Sequence, residues 1–431
     1  MADTGLIRRH RHLQPVAGGG LLDRRGFLRL GAGVATVVAA GSLPTVQAEG
    51  LIERPIWQRT RGQSDLPYGQ PAAQEAHVQR HLWDSTPETA GFAGWHSPIQ
   101  HLRGTITPNG LHFAVHHNGI PAIDPQRHQL IIHGLVERPL SFDLARLLRY
   151  PLVSAIRFIE CAGNTAANAL SPTAMDADAQ LLSGQVSCAE WTGIPLRILL
   201  AEAGVKPSAR WVIVEGADGG SHARSLPLEK LMDDAILALY QNGERLRPSQ
   251  GYPMRLLVPG WEGNVNVKWL HRLEVTDQPA HTKDESGLYT RVLADGSLLQ
   301  FAPTMEVKSI ITQPSGQQLL PEPGFYEISG LAWSGRGSIR KVEVSADGGR
   351  SWAEAQLQSP VLDKAFTRFS IPWHWTGGRH LLMSRAEDSQ GHQQLTRKAW
   401  KAQYARHSFN HYNAIQVWRV NRNGRVENHY G

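Results

Sequence analysis

The stretch RFIECAGNTAANA, Arg157 to Ala169, runs from apolar residues into a cysteine and then a Gly-Asn turn. The chain has only two cysteines among its 431 residues, so the position of Cys161 is informative. A structural thiol, half of a disulfide and a metal ligand are all open from these residues alone. A metal-bound thiolate has to be deprotonated and held rigidly, and a turn that ends a buried strand suits that requirement.

The N-terminal residues have the pattern of an export signal. A twin arginine, Arg24 and Arg25, precedes a short apolar run over residues 30–40 and a small-residue end at Ala48. The run is too short to span a bilayer, and its flanks are typical of a cleavable signal. The alternative interpretation of these residues is an ordinary buried helix. We therefore predict a twin-arginine signal peptide over residues 1–48 and a periplasmic location. That pathway exports folded proteins, which favours a cofactor acquired in the cytoplasm.

The basic charge of the chain is concentrated in this predicted signal. The formal net charge is +6, and residues 1–48 hold six arginines and two aspartates. Cleavage would therefore leave +2 of the +6 on the remaining chain. The high isoelectric point is largely a property of the signal, so it does not predict a nucleic-acid partner.

The rest of the chain divides into three sections. Residues 49–95 are rich in Gln, Pro, Arg and Trp, and they predict an irregular arm. Residues 96–285 mix short strands with short helices, which indicates an α+β domain rather than regular βαβ units. Residues 300–425 have short strands at regular spacing and an Asp-Gly-Gly hairpin turn at 347–349. That pattern predicts an immunoglobulin-like β-sandwich.

Individual elements of the α+β section can be predicted from their composition. Gln129–Val136 and Arg210–Asp218 are rich in β-branched residues and predict strands. Pro195–Gly204 has helical apolar spacing with proline at its start and glycine at its end, and it predicts a helix. By the same reasoning, Pro227–Gly243 predicts one helix with a glycine stop.

Several common kinds of site can be set aside. The chain has twenty histidines, and the densest group is LHFAVHHNGIP over residues 111–121. His116 and His117 are adjacent, so on a strand they point to opposite faces and cannot grip one ion together. No Cys-x-x-Cys pair is present for a structural zinc ion, and no Gly-x-Ser-x-Gly motif for a serine hydrolase. One or two histidines as polar contacts to a cofactor is the better hypothesis.

Two cations flank a turn near the middle of the chain. The run GYPMRLLVPGWEGNVNVKWL, residues 251–270, places Arg255 and Lys268 around a Pro-Gly turn. Backbone amides and two cations are suited to a phosphorylated cofactor. A surface loop with solvated charges is the alternative, and this run alone does not decide between them.

Several long motifs in order resemble the sulfite oxidase family of molybdenum enzymes. They are ECAGN at 160–164, AEWTGIPLRILL at 189–200, the run over 227–270 and FYEISGLAWSGRG at 325–337. The resemblance extends from about Trp95 to Val420, and within the family it points to the periplasmic sulfane dehydrogenases. It implies an α+β fold, with a mixed α/β molybdopterin-binding domain followed by an immunoglobulin-like β-sandwich that mediates dimerisation. The implied cofactor is molybdenum-molybdopterin, with no haem in this chain.

The resemblance gives a role to each residue that falls on a family motif. Cys161 falls on the molybdenum-ligating cysteine, and Trp191 and Tyr289 fall on aromatic residues that line the substrate pocket. Cys188 is then expected to be a buried free thiol, and not the partner of Cys161 in a disulfide. The residues that fall on cofactor-binding positions are His116, His117, Asn118, Asp218, Arg255, Asn266, Val267 and Lys268.

The chain departs from sulfite oxidases at two positions. Those enzymes bind the sulfite dianion with arginines, one two residues before the histidine that corresponds to His117 and one five residues after the cysteine. Here these positions are Val115 and Ala166, the latter preceded by Thr165. Losing bidentate donors weakens binding of an oxyanion, so we expect a neutral or weakly charged sulfur group as substrate.

The resemblance also implies partners. We expect a sulfane sulfur (persulfide) on a cysteine of a carrier protein as substrate, and a dihaem c-type cytochrome subunit as electron acceptor. We also expect a homodimer through the sandwich, as part of a heterotetramer with the cytochrome. Two alternatives stay open: a sulfite dehydrogenase that passes electrons to cytochrome c, and a non-catalytic exported scaffold or adhesion protein.

Overall fold

The computed structural model describes residues 15–23, 68–83 and 93–430. The twin arginine, the apolar run after it and most of the predicted arm over 49–95 lie outside the described residues. Within the described ranges, no helix is both long and apolar enough to cross a membrane.

Two five-stranded sheets form the first domain. One follows the order β11-β10-β15-β6-β7, and the other is β13-β12-β9-β8 with β14 paired to β12. A third, three-stranded sheet is β3-β4-β5. The strands up to this point are β1 (Pro15–Ala17), β2 (Leu21–Leu22), β3 (His81–Trp83), β4 (Ala93–His96), β5 (Ala114–His116), β6 (Gln129–Gly134), β7 (Leu140–Asp143), β8 (Val153–Glu160), β9 (Val186–Pro195), β10 (Trp211–Gly216), β11 (Ala223–Pro227), β12 (Ile236–Gln241), β13 (Glu244–Arg245), β14 (Arg255–Leu257) and β15 (Leu270–Thr276).

Short helices connect these strands. They are α1 (Leu144–Leu147), α2 (Ala166–Leu170), α3 (Ala179–Ser183), α4 (Leu196–Ala203), α5 (Leu228–Asp233) and α6 (Lys283–Gly287). Helix α4 ends where Gly204 adopts φ +71°, a conformation that glycine tolerates at a helix end, as its sequence predicts. Among the described strands of these sheets, β15 and β6 pair in parallel and the other pairs are antiparallel. This mixed pattern confirms the α+β fold class.

The prediction of one helix over Pro227–Gly243 is wrong beyond Asp233. Helix α5 ends there, and ILALYQ becomes β12, the strand between β9 and β14. Its residues are buried or nearly so, with Leu237 and Leu239 fully enclosed. Pairing along both edges outweighs the helical preference of leucine and alanine, which amounts to less than about 1 kcal/mol per residue.

The second domain is a two-sheet sandwich, as predicted. One sheet includes β23-β19-β18 with β22 on β23, and the other is β21-β20-β24-β25-β26. Buried tryptophans fill the space between the two sheets, among them Trp333, Trp373 and Trp418. Its elements are β16 (Arg291–Val292), β17 (Leu298–Leu299), β18 (Lys308–Gln313), β19 (Gly324–Trp333), β20 (Ile339–Ser345), β21 (Ala353–Glu354), β22 (Gln356–Leu357), β23 (Thr367–Trp375), β24 (His380–Asp388), α7 (Arg397–Gln403), β25 (Val417–Val420) and β26 (Val426–His429).

The segment before the twin arginine lies on this sandwich. Strands β1 and β2 extend the sheet next to β23, with Leu21 opposite Trp373 and fully buried. The indole Nε1 of Trp373 donates a hydrogen bond of 2.7 Å to the carbonyl of Gly19. Residues 15–22 fall within the predicted signal peptide, and in this structure they pair with the sheet of the second domain.

The two domains share one core. The largest apolar cluster joins Phe158, Leu182 and Cys188 of the first domain to Trp333 and Ile310 of the second. The rings of Phe158 and Trp333 lie 6.5 Å apart. Because Phe158 is on β8, the strand that leads to Cys161, the second domain packs directly behind the cysteine turn.

Candidate functional site

A cavity of about 740 Å³, counting the space at its open mouth, lies where β5, β8 and the loop before β15 meet. This size is typical of cofactor and ligand pockets. Cys161, His116, His117, Lys268 and Tyr289 are among its lining residues. Residues far apart in the sequence therefore converge on one site.

Cys161 is the first residue after β8 and stands at the cavity wall. Its backbone amide donates to the carbonyl of Gln185 at 2.9 Å, and its carbonyl accepts the amide of Asn164 at 3.0 Å. These bonds fix the turn that presents the sulfur. Burial by surrounding atoms raises the pKa of the Cys161 thiol to about 11. A bound metal cation would reverse that effect and hold the sulfur as a thiolate.

The second cysteine plays no part in this cavity. Cys188 is fully buried on β9, and both cysteines are free thiols. Burial raises the pKa of Cys188 to about 12. The structure therefore agrees with the expectation of a buried free thiol and gives no support to a disulfide.

Two cations, Lys268 and Arg255, line the cavity. The Lys268 ammonium donates to the carbonyl of Val115 at 2.9 Å and lies 2.7 Å from His116 Nδ1. The Arg255 guanidinium donates to the carbonyls of Asn266 at 2.9 Å and Gln250 at 3.1 Å. Burial lowers the pKa of Lys268 well below its usual value and that of Arg255 to about 9.

Neither cation has a carboxylate within ion-pair distance among the described residues. Buried charge that is not compensated by an opposite charge is costly, so these two positions are suited to an anionic ligand. A phosphorylated cofactor would supply that charge. The sequence alternative, a surface loop with solvated charges, is wrong because Arg255 is buried and Lys268 lines the cavity.

Several buried polar atoms of the wall have no hydrogen-bond partner within the protein. They are Arg255 Nε, His116 Nε2 and both side-chain polar atoms of Asn264. Such atoms are few in native proteins and cost free energy when they stay unpaired. A polar, flat ligand such as a pterin would satisfy donors and acceptors of this kind. The donor set therefore fits molybdopterin.

A polar corner of the cavity is built from Asp218 and His222, and Asp284 supports it through its contact with His222. The Asp218 carboxylate accepts the backbone amide of His222 at 2.9 Å and the side-chain amide of Asn118 at 3.3 Å. The His222 ring lies 3.3 Å from Asp284 and close to His117. Asn118 does not line the cavity itself, and it acts on the site through Asp218.

Tyr289 lines the cavity together with Cys161. The guanidinium of Arg224 stands over its ring at 4.6 Å. Burial raises the pKa of the phenol well above its usual value. The phenol is therefore neutral at physiological pH and is able to donate a hydrogen bond into the cavity.

Trp191 does not line the cavity, which corrects the expectation that it belongs to the substrate pocket. It is fully buried on β9, and its indole Nε1 donates to the carbonyl of Arg157 at 3.2 Å. Its ring instead supports Arg255, whose guanidinium lies 5.0 Å from the ring centre. Its place on the buried face of β9 removes it from the open cavity and puts it behind the cationic wall.

Sequence reasoning missed other residues of the wall. Gln250, Asn264, His222 and Trp269 line the cavity without having been singled out. Three of them stand within or next to the run over 251–270, so their closeness to Arg255 and Lys268 was the available signal. His222 carried no such signal, because its position depends on the pairing of β10 with β11.

The two positions where sulfite oxidases carry arginine remain without a cation in three dimensions. Val115 lines the cavity, and Ala166 begins α2 directly after Thr165. Among the described lining residues, Arg255 is the only arginine, and two of its guanidinium nitrogens are bonded to carbonyls of the protein. No other arginine of the described residues reaches into the cavity.

Comparison with known proteins gives consistent findings. Residues 117–283 match the family model of the oxidoreductase molybdopterin binding domain, and residues 300–418 match that of the Mo-co oxidoreductase dimerisation domain. A solved structure, the sulfane dehydrogenase SoxCD from Paracoccus pantotrophus, is 41% identical and has a TM-score of 0.85. The match covers 90% of this chain and 100% of that chain.

Curated enzymes also match. Mitochondrial sulfite oxidase of Mus musculus is 33% identical over 59% of this chain and 50% of its own length. NADH nitrate reductase 2 of Phaseolus vulgaris is 33% identical over 65% of this chain and 35% of its own length. The chain thus spans half or less of the length of these curated relatives.

Proposed function

The chain belongs to the sulfite oxidase family of molybdenum oxidoreductases, and on that premise we propose that it oxidises a sulfane sulfur carried on the cysteine of a partner protein. The observation that carries this proposal is that Val115, which lines the cavity, and Ala166, which begins α2, supply no cation for a free dianion. A persulfide on a flexible protein arm carries less charge than sulfite and needs fewer cationic donors.

The cofactor is molybdenum-molybdopterin, and the residues of the cavity fit it. Cys161 would ligate the metal, Lys268 and Arg255 would neutralise the phosphate, and His116 and Asn264 would pair with the pterin edges. When bound, the cofactor supplies oxygen-atom transfer and storage of two electrons. His117, Asp218, Asn266 and Val267 complete the wall around it.

The protein's own groups would handle the substrate. Tyr289 is neutral, so its phenol would donate a hydrogen bond to the incoming sulfur group without repelling it. Arg224 holds that ring in place through its cation–π contact.

We propose two partners besides the carrier. The electrons would leave singly to a dihaem c-type cytochrome subunit, since this chain has no haem-attachment Cys-x-x-Cys-His motif. The second domain would form the homodimer, and a heterotetramer with the cytochrome would follow. The similarity to SoxCD and the dimerisation-domain match support this assembly. The twin-arginine pattern supports export to the periplasm.

The test compares two substrates with one acceptor. Purified enzyme is given either free sulfite or a carrier protein with a persulfide cysteine, and reduction of cytochrome c is followed. We expect efficient turnover of the carrier-bound sulfur and weak turnover of sulfite. Fast turnover of sulfite at low concentration, without turnover of the persulfide, would establish a sulfite dehydrogenase instead.

Metal analysis tests the enzyme class separately. We expect about one molybdenum per chain, loss of the metal in Cys161→Ser and full retention in Cys188→Ser. Cys188 is the matched control because it is the other free cysteine and lies away from the cavity. Correctly folded wild-type protein without molybdenum would favour the scaffold alternative.

A further inference from the structure

We infer that Lys308, a residue of the second domain, is a positioning residue for the metal-ligand turn of the first domain. This inference rests on the proposed role of Cys161 as the molybdenum ligand. It assigns to the second domain a task at the metal site in addition to dimerisation.

Lys308 reaches the turn from the start of β18. Its ammonium donates to Glu160 Oε1 at 2.9 Å and to Thr165 Oγ1 at 2.9 Å. Glu160 directly precedes Cys161, and Thr165 closes the turn before α2. One buried cation therefore ties together both ends of the segment that presents the sulfur.

The carboxylate of Glu160 is enclosed by donors. Lys308 and the Asn164 side-chain amide both donate to Oε1, each at 2.9 Å, and the Trp333 indole donates to Oε2 at 2.6 Å. Glu160 is 1% exposed and Lys308 is 4% exposed. Two of these donors, Lys308 and Trp333, come from the second domain. Without Lys308 the carboxylate would stay buried next to the ligand with no balancing cation.

The other end of the turn needs support of its own. Thr165 has φ +72°, in the left-handed region that β-branched residues rarely adopt. Its hydroxyl lies 3.0 Å from that of Ser183 and accepts the bond from Lys308. These contacts hold a strained conformation that the turn requires after the ligand.

A second contact from the same domain leads to the same turn. The amide of His411 donates to the carbonyl of Ala162 at 2.8 Å, and its ring Nε2 lies 2.9 Å from Glu262. Glu262 in turn accepts from Arg224 at 3.0 Å. Second-domain residues therefore hydrogen-bond to the cysteine turn on both sides of Cys161, at Glu160 and at Ala162.

Charge is the reason why Lys308 affects more than stability. A buried ion pair contributes no more to stability than a well-packed pair of apolar side chains. An unpaired buried carboxylate, however, acts electrostatically over a longer distance, because the protein interior has a low dielectric constant. Removing only the lysine leaves a negative charge next to the ligand, which favours the oxidised metal. Removing both charges restores the balance.

The experiment uses purified holoenzyme and three substitutions at this pair: Lys308→Met, Lys308→Arg, and the double variant Glu160→Gln with Lys308→Gln. Molybdenum content, the Mo(V) electron paramagnetic resonance spectrum, the Mo(VI/V) midpoint potential, kcat and KM are measured for each. The matched control is Lys364→Met, which removes another lysine that pairs across the domain boundary, with Asp234 at 2.7 Å.

We expect Lys308→Met to lower the midpoint potential, alter the Mo(V) spectrum and reduce kcat by about 10–100-fold, the usual effect of losing a supporting partner of a metal ligand. Its KM should change much less. Lys308→Arg and the double variant should have potentials near that of the wild type, because each keeps the local charge balanced. Lys364→Met should leave the spectrum and the potential unchanged.

Two results would overturn the inference. The first is a Lys308→Met enzyme with the wild-type spectrum and potential. The second is an equal shift in Lys308→Met and in the double variant, which would show that lost packing is responsible and not charge. If Lys308→Met does not fold, the inference is tested by the midpoint potentials of the double variant and of Lys308→Arg. The double variant has no charge at either position, so a shifted potential in that variant would contradict the charge argument. Failure of the proposed function gives different results: a sulfite dehydrogenase would hold molybdenum but would not turn over the persulfide, and a scaffold protein would hold no molybdenum in the wild type.

Discussion

Replacing Val115 by arginine should shift the enzyme toward free sulfite. Val115 lies on β5, lines the cavity, and its carbonyl is already fixed by the Lys268 ammonium at 2.9 Å. The backbone at this position is therefore held, and a longer side chain has the open cavity in which to extend. An arginine here would restore one of the two cations that sulfite oxidases carry.

The size of the effect can be worked out from the site. A hydrogen bond between charged groups contributes about 1.5–3 kcal/mol. The new cation would also be repelled by Lys268 and Arg255, which line the same cavity, so a net gain of about 1–2 kcal/mol is expected. Since about 1.4 kcal/mol corresponds to a tenfold change in affinity, the KM for sulfite should fall by about 5- to 30-fold.

The assay is steady-state reduction of cytochrome c at increasing sulfite concentration, at low and at high salt. Val115→Gln is the control, because it has a long polar side chain without the charge. The gain should appear only in Val115→Arg and should shrink as salt screens the charge. Equal improvement in both variants, or none in a Val115→Arg enzyme with full molybdenum content, would refute the reasoning that missing cations set the substrate preference.

Three further outcomes are expected. Lys268→Met should lower molybdenum content by about 10–100-fold, measured by metal analysis, because the phosphate of the cofactor would lose a hydrogen bond from a charged group worth about 1.5–3 kcal/mol. In cofactor-free protein, the rate of Cys161 alkylation should rise about tenfold per pH unit up to pH about 11. Burial raises the pKa of Cys161 to about 11, and only the thiolate reacts. Cys188 is fully buried and should stay unmodified. Gly19→Val in the uncleaved chain should abolish hydrogen-exchange protection of residues 15–22, because a Cβ at position 19 would lie 2.6 Å from the Ala346 carbonyl oxygen. Gly69→Val is the control and should leave this protection unchanged, because no atom lies within 4 Å of a Cβ at position 69.

The parts of the fold that could be predicted depend on local signals. Helix α4 has proline before it, leucines at helical spacing and a glycine end, and the structure confirms it. The strand β12 lacked such a signal, because ILALYQ has no β-branched residue beyond its first and follows a real helix. Its conformation is decided by pairing with β9 and β14, which lie outside the segment itself.

The candidate site shows the same division. Cys161, Arg255 and Lys268 stand in motifs that can be read along the chain, and the structure brings all three to one cavity. Trp191 also stands in a motif, but its side chain points behind the wall, and a motif does not specify which face of a strand meets the cavity. The motif therefore predicted that Trp191 lies near the site, but it did not predict the direction of its side chain.

The contact between Lys308 and Glu160 could not be predicted for a further reason. The two residues are 148 positions apart and belong to different domains. Each one alone has an ordinary explanation, a surface cation on a strand or a carboxylate beside a turn, and only their burial together reveals a charge pair. The same holds for His411 and Glu262, which meet across 149 positions. A division of this chain into two domains therefore describes its sheets but not the cysteine turn, because the groups that balance and hold that turn come from both domains.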